Sequence, residues 1–352
     1  MPLWTDLMDP VEATGIARAE QQEYERSRGG TLARYLPNVE VGSHFVEFVA
    51  GDNGLVDVAH YRAYNSPPKI GSGRGGERKT ITLPAMSRNE PINEQEQMTW
   101  DHMSETQQLK SLERAIRRNV QAISDRQELT RGIAIETGKC YWVDEVASGS
   151  GADYVLNDDF QRDAALNVTA ATLWSDKTAD RLAALELWAS TYASKNAGLR
   201  PGAIRMSRQA WAAFRGGNQF SIALGAGTMQ MTGEQVTQRL IDEGLPGVVD
   251  LYDRQVQVNG VMRNVMDPLK IELLPAPTDP DNEDGSDLGA TFWGRTRSSQ
   301  FASWGIEPDE QPGIVCGVFG DESVGASIEV QGDAIGEPVL RNANATMTVK
   351  VL

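Results

Sequence analysis

The sequence predicts an α+β protein organised around one long helix, and three observations carry that expectation. Residues 104–138 contain no proline, and their first glycine is Gly132. Their apolar residues recur at helical spacing. Runs of β-type composition lie on both sides of this stretch, so strands are not confined to one block. Three shorter segments further on also carry helix signals, which mixes the two element types along the chain.

The long stretch supplies its own ends. Ser104 followed by Gln107 is a capping box, and Gly138 can take the left-handed conformation that closes a helix. Leu109, Leu112, Ile116, Val120 and Ile123 advance in steps of three and four. Leu129 and Ile133 resume the stripe after a polar gap at Arg126 and Gln127. At about 1.5 Å per residue the helix reaches roughly 50 Å. Such length with a narrow apolar stripe reads as a strut laid across a sheet. Lys110, Arg114, Arg117, Arg118 and Arg126 crowd its other faces.

Residues 1–38 are charged and poor in large apolar side chains, with a thin stripe at Ile16, Ala19 and Tyr24. They read as an arm that gains order only against a partner. From Val39 to Glu90 the composition turns to β type, in SHFVEFVA, LVDVAHYRAY and RKTITLPAM. A basic tip rich in glycine and proline separates them, so the segment reads as a protruding hairpin. A two-stranded ribbon is marginal in water on its own, so this one is expected to lie on a neighbouring subunit.

After the long helix, KCYWVDE and ADYVLN read as strands about a glycine-rich turn, and LNVTAATLW as another. Residues 175–197 form a helix with Leu182, Leu185, Trp188 and Tyr192 on its apolar face. Ser207 caps a third helix anchored by Trp211 and Phe214, and Thr232 with Gln235 opens a fourth that ends at Gly244. Asn259-Gly260 joins RQVQV to VMRNVM in a tight hairpin. LKIELLPAP, ATFWG, PGIVCGVFG, ASIEVQG and ATMTVKV are strands that run to the C-terminus.

With 352 residues, the chain has room for two domains or one elaborate one. Its net charge of -16 argues against sequence-specific DNA binding across a broad face. Cys140 and Cys316 are its only cysteines, which excludes a disulfide scaffold. No apolar run approaches the roughly 20 residues of a membrane span, and the N-terminus lacks the basic and apolar regions of a signal peptide.

No motif selects an enzyme. Gly71, Gly73 and Gly76 satisfy GxGxxG, but a β-type run follows where a phosphate-binding helix should begin. The acidic run 279–287 puts Pro280 and Thr291 where a calcium loop needs carboxylates. His44, His60 and His102 have no catalytic spacing, and Cys140 beside Tyr141 and Trp142 reads as a buried small residue. No catalytic, cofactor-binding or metal-binding residues are therefore assigned. Lys69, Arg74, Arg78 and Lys79 near the hairpin tip are candidate contacts to an acidic surface of another copy, and Arg114, Arg117 and Arg118 on the helix to a polyanion or to acidic loops of another copy. Solvated charges or pairs with Glu113, Asp125 and Glu128 are the plainer reading for the helix.

The order of arm, basic-tipped hairpin, long helix, compact α+β region and closing strands resembles the major capsid protein of tailed bacteriophages. The resemblance is to the HK97-fold type, and within it to the lambda-like capsid protein E family. PGAIRMSRQAWAAFR, a capped helix, GLPGVVDLYD, the Asn-Gly hairpin, LKIELLPAP and LGATFWGRT are similar in order to the outer lobe of those proteins. The resemblance implies an N-arm over 1–38 and an extended loop over 39–98. It implies a peripheral domain over 99–175 with its spine helix at 104–138, an axial domain over 176–304, and strands over 305–352 that return to the peripheral domain. It further implies a non-enzymatic subunit that self-assembles into hexamers and pentamers of an icosahedral shell around phage DNA, in a virion assembled in the bacterial cytoplasm. A separate scaffolding protein, a portal and a decoration protein are its implied partners. An encapsulin-like compartment shell shares the fold, and a soluble enzyme without a recognisable motif is the contrasting alternative.

Overall fold

The computed structural model describes residues 3–27, 31–50, 77–100, 102–145, 152–224, 227–320 and 328–352. The chain begins with helix α1 (Pro10–Ser27) and strands β1 (Asn38–Glu40), β2 (Phe45–Ala50), β3 (Glu77–Thr82) and β4 (Ala85–Ile92). A short helix α2 (Glu94–Trp100) precedes the long helix α3 (Glu105–Thr137), and strands β5 (Lys139–Glu145) and β6 (Ala152–Asp159) follow it. Next come β7 (Asn167–Thr169), α4 (Arg181–Lys195), β8 (Ala203–Met206), α5 (Arg208–Arg215), β9 (Ser221–Leu224), β10 (Gly227–Gln230) and α6 (Gly233–Asp242). Strands β11 (Val248–Leu251), β12 (Gln255–Val258), β13 (Val261–Asn264), β14 (Lys270–Leu274) and β15 (Gly289–Gly294) lead to the closing strands β16 (Val315–Phe319), β17 (Ile328–Leu340) and β18 (Met347–Lys350).

Helix α3 runs for 33 residues between the expected caps. The Ser104 N–H donates to Gln107 Oε1 at 3.1 Å, and Gly138 closes the helix at φ 74° with its N–H on Ala134 O at 2.8 Å. Its first half behaves as a strut, burying Leu112, Ile116, Val120 and Ile123 in one core with α1, β16 and β17. The second half differs from the narrow-striped expectation. From Gln127 to Ile135 every residue except half-buried Ile133 is buried. Charged side chains can be enclosed there because they pair with one another, which periodicity alone does not register.

Helix α1 lies along α3. Ala13 and Ala17 are completely covered, and Tyr24 Oη donates to Asp125 Oδ1 at 2.9 Å. The segment expected to order only against a partner is thus packed on its own chain over Pro10–Ser27. Small residues make this possible, because they let two helices approach closely where few large side chains are available.

Two five-stranded sheets organise the rest. In the first, β1, β15, β17 and β16 follow in that order and β4 also pairs with β17. In the second the order is β11, β8, β14, β18, β7. Its strands send Ile204, Met206, Ile271, Leu273, Met347 and Val349 into a core shared with α4, α5 and α6. The intervening residues Arg205, Glu272 and Thr348 take the opposite face, next to the end of α3. Strand β15, from within 176–304, joins the first sheet, while β18 is an inner strand of the second. Strand β14 has both edges paired, to β8 and to β18, so the C-terminus completes that sheet.

Strand β17 is longer than its sequence suggests. It continues through Gly332, Gly336 and Pro338, residues that usually interrupt strands. Gly336 is needed for a close approach, since a Cβ there would sit 2.8 Å from Phe292 O and 2.9 Å from Gln127 Nε2 of α3. The Asn-Gly hairpin is as expected, with Asn259 at φ 49° and Gly260 at φ 81° joining β12 to β13. The run RKTITLPAM divides at Leu83-Pro84: β3 pairs with β2, and β4 pairs with β17. LNVTAATLW gives only the short β7, and the helix expected from 175 begins at Arg181, after Asp180 takes the cap by accepting from Ala183 N at 3.1 Å. The β9–β10 hairpin had no expected counterpart.

Gly132 offers a test of how tightly α3 is held. Within a helix, replacing glycine by alanine is ordinarily worth about 1 kcal/mol of added stability. Here the new Cβ would meet Val265 O at 2.5 Å and Val265 Cγ1 at 2.6 Å. Overpacking costs about 1–3 kcal/mol, so Gly132→Ala lowers the midpoint of thermal unfolding. A raised midpoint would show that this contact yields freely.

Candidate subunit-contact site

The β2–β3 ribbon has two unlike faces. Val46, Phe48 and Ile81 point inward to a core that includes Leu156 and Phe160, with the Phe48 and Phe160 rings 6.5 Å apart. On the outer face Phe45 and Val49 remain 41% and 42% exposed, beside Glu47. The base of the ribbon is therefore anchored on its own chain by one face and leaves the other open. Phe45 and Val49 also border a shallow groove with Val41, Phe292 and Arg341. The second expected run, LVDVAHYRAY, lies outside the described residues, as do Lys69 and Arg74.

The remaining basic candidates take different positions. Arg78 is exposed and 3.8 Å from Glu47 across the ribbon, and Lys79 Nζ donates to Asp159 O at 3.1 Å. Arg117 makes a fork on Glu20 of α1 at 2.8 and 2.5 Å, and Arg118 pairs with Glu90 of β4 at 3.0 Å. Those two ties fasten α3 to its own neighbours. Arg114 is exposed, and its Nε donates to Lys110 O at 3.1 Å. Of the acids expected as helical partners, Asp125 instead pairs with Arg254 at 2.8 Å, and Glu128 pairs with Arg131 at 3.2 Å.

Sequence reasoning missed the groups that matter most inside the molecule. Glu128 and Arg131 are each 1% exposed on α3. Glu128 accepts from Tyr252 Oη at 2.6 Å and from the Leu32 N–H at 2.8 Å. Arg131 donates to Thr291 Oγ1 at 2.8 Å and to Asn38 Oδ1. On the second sheet Arg205 pairs with Asp250 at 2.9 Å between the rings of Tyr35 and Tyr252. Facing it across the strands, Glu272 is buried, and its Oε1 has no donor among the described residues. Burial pushes the Glu272 carboxyl up to about 8, with Arg205 opposing and Glu136 adding to the rise. In the first sheet Glu337 is fully covered, and burial, then the Asp158 carboxyl, push it up to about 9. The only signal for these groups was a charge set among apolar neighbours, as in KIELL.

The architecture is that of a phage capsid shell protein of the HK97 type. It is similar to a prophage protein of Escherichia coli CFT073 described as a capsid protein, with a TM-score of 0.58 and 16% identity over 94% of this chain and 98% of that one. A phage-related protein of Bordetella bronchiseptica RB50 matches with a TM-score of 0.58 and 13% identity, over 96% of each chain. Residues 26–263 match the family described as phage major capsid protein E, and the chain belongs to that family. No curated protein matches it. The chain is a structural subunit of a virion capsid, not an enzyme.

The raised carboxyls predict a pH dependence with a definite sign. Glu272 and Glu337 keep their protons in the folded state at pH values where an unfolded chain has lost them. Their contribution is complete below the ordinary carboxylate range and is lost as pH rises through about 8 and then about 9. Glu337→Gln should therefore raise the unfolding midpoint at pH 9 relative to wild type while changing little at pH 5. Equal shifts at both pH values would assign Glu337 no part in alkaline loss of stability.

Proposed function

We propose that this capsid subunit forms hexamers and pentamers that close an icosahedral shell around double-stranded DNA. The observation that carries the reading is the ribbon's open face. Phe45 and Val49 stand on β2, in a two-stranded ribbon whose described apolar residues bury only its inner side on this chain. Exposed apolar area on a two-stranded ribbon favours a cover, and a neighbouring copy supplies one. In this reading the first sheet with α1 and α3 forms the peripheral part. The second sheet with α4, α5 and α6 forms the axial part that meets its copies around the symmetry axes. The region 39–98, to which the ribbon belongs, forms the extended loop that reaches a neighbour.

The net charge of -16 suits a wall that must be soluble before assembly and must not grip the DNA it encloses. Assembly in the bacterial cytoplasm with a separate scaffolding protein, a portal and a decoration protein completes the proposal. Electron microscopy of the purified chain, alone and with a co-expressed scaffold, tests it; a protein that forms neither rings nor closed particles in either case would refute it. Deleting residues 66–76 should leave the circular dichroism spectrum of the folded subunit unchanged and abolish particles. Normal particles from that deletion would remove the loop from assembly.

A further inference from the structure

We infer that the exposed basic face of α3's first turns receives the acidic loop 279–287 of a second copy of this chain, in a head-to-tail contact. This rests on the shell reading and names one of its contacts. On α3, Lys110 and Arg114 are exposed and have no carboxylate partner among the described residues. They share a shallow concavity of about 520 Å³ with Met103, Gln107, Glu113 and Arg117. Exposed Glu113 borders the same concavity beside Arg117, whose guanidinium is raised first by its hydrogen bond to Glu20 and least by Glu113. Two free cations in a chain of net charge -16 mark a place where an anion is wanted.

The same chain carries a matching surplus elsewhere. Asp279, Asp281, Glu283, Asp284 and Asp287 are all exposed. Among the described residues their one ion pair is Asp281 with Arg26, at 3.9 Å between side chains that are mostly solvated. The two surfaces cannot meet within one molecule. The loop is fastened at Asn38, whose N–H donates to Pro280 O at 3.0 Å, and Asn38 itself binds Arg131 of α3. Lys110 lies about 30 Å back along the helix from that level, at about 1.5 Å per residue. Different patches of opposite charge on each copy give a heterologous contact, which closes into rings when its rotation divides a circle.

Charge reversal in the full chain tests this, with sedimentation velocity as the readout. Lys110→Glu with Arg114→Glu, and separately Asp281→Lys with Glu283→Lys and Asp284→Lys, should each reduce assembled material by about tenfold or more, since like charges now face each other. An equimolar mixture of the two variants should recover even-membered rings such as hexamers, because alternating copies then give each reversed surface its complement. Wild-type assembly by either variant alone, or no recovery in the mixture, would overturn the contact. Carbodiimide coupling of the concentrated wild-type chain gives a second measure, read by mass spectrometry. A bond between Lys110 of one copy and a carboxylate of 279–287 of another supports the contact, and its absence from every coupled oligomer overturns it. Particles without that bond leave the shell reading standing and remove this contact, whereas the bond in small oligomers without particles does the reverse.

Discussion

Opposite charges one turn apart on α3, at Glu128 and Arg131, set the geometry of the whole molecule. Both are enclosed, and between them they hold the segment after α1 at Leu32, strand β1 at Asn38, strand β15 at Thr291, and the turn at Tyr252 beside the second sheet. A charge left alone in such a place costs about 3–5 kcal/mol. Every part that touches the pair is therefore obliged to stay in register with the helix. Arg254 strengthens the arrangement by reaching both Asp125, at 2.8 Å, and Glu128, at 3.6 Å. The apolar cores on either side could tolerate some sliding; the paired charges cannot.

The end of the same helix fixes the second sheet. Arg162 donates to Ile135 O at 3.0 Å and Glu136 O at 2.7 Å, carbonyls that the last turn would otherwise leave unsatisfied. It also reaches Thr346 and Thr348, at 3.1 and 3.2 Å, and so ties the C-terminal strand to the helix end. Lys270 binds Glu136 from strand β14. The sheet thus has a dry face, where Trp188, Phe214 and Leu240 pack, and a charged face that meets α3. The division explains why the sheet reads as apolar alternating with isolated charges. The charges are its connection to the rest of the chain.

Much of this was legible in the residues. The caps of α3 at Ser104 and Gly138, the Ser207 and Thr232 caps, and the Asn-Gly hairpin followed from local chemistry that acts within four residues, and all are present. What depends on distant partners was not legible. The course of β17 through Pro338 is settled by pairing with Thr291 on β15. The place of β18 is settled by an edge of β14, and the packing of α1 by how closely Ala13 and Ala17 approach its neighbours. For the contact site, sequence singled out the basic side chains without separating those satisfied at home, Arg117 and Arg118, from Arg114. That distinction lies in Glu20 and Glu90, which are close only after folding.

The two thiols have a consequence for the life of a virion. Cys140 and Cys316 have no exposed surface, and burial raises both, Cys316 to about 12, so almost none of either exists as the reactive thiolate. A capsid wall made from this chain therefore keeps both sulfur atoms covered and protonated, out of easy reach of dissolved oxidants.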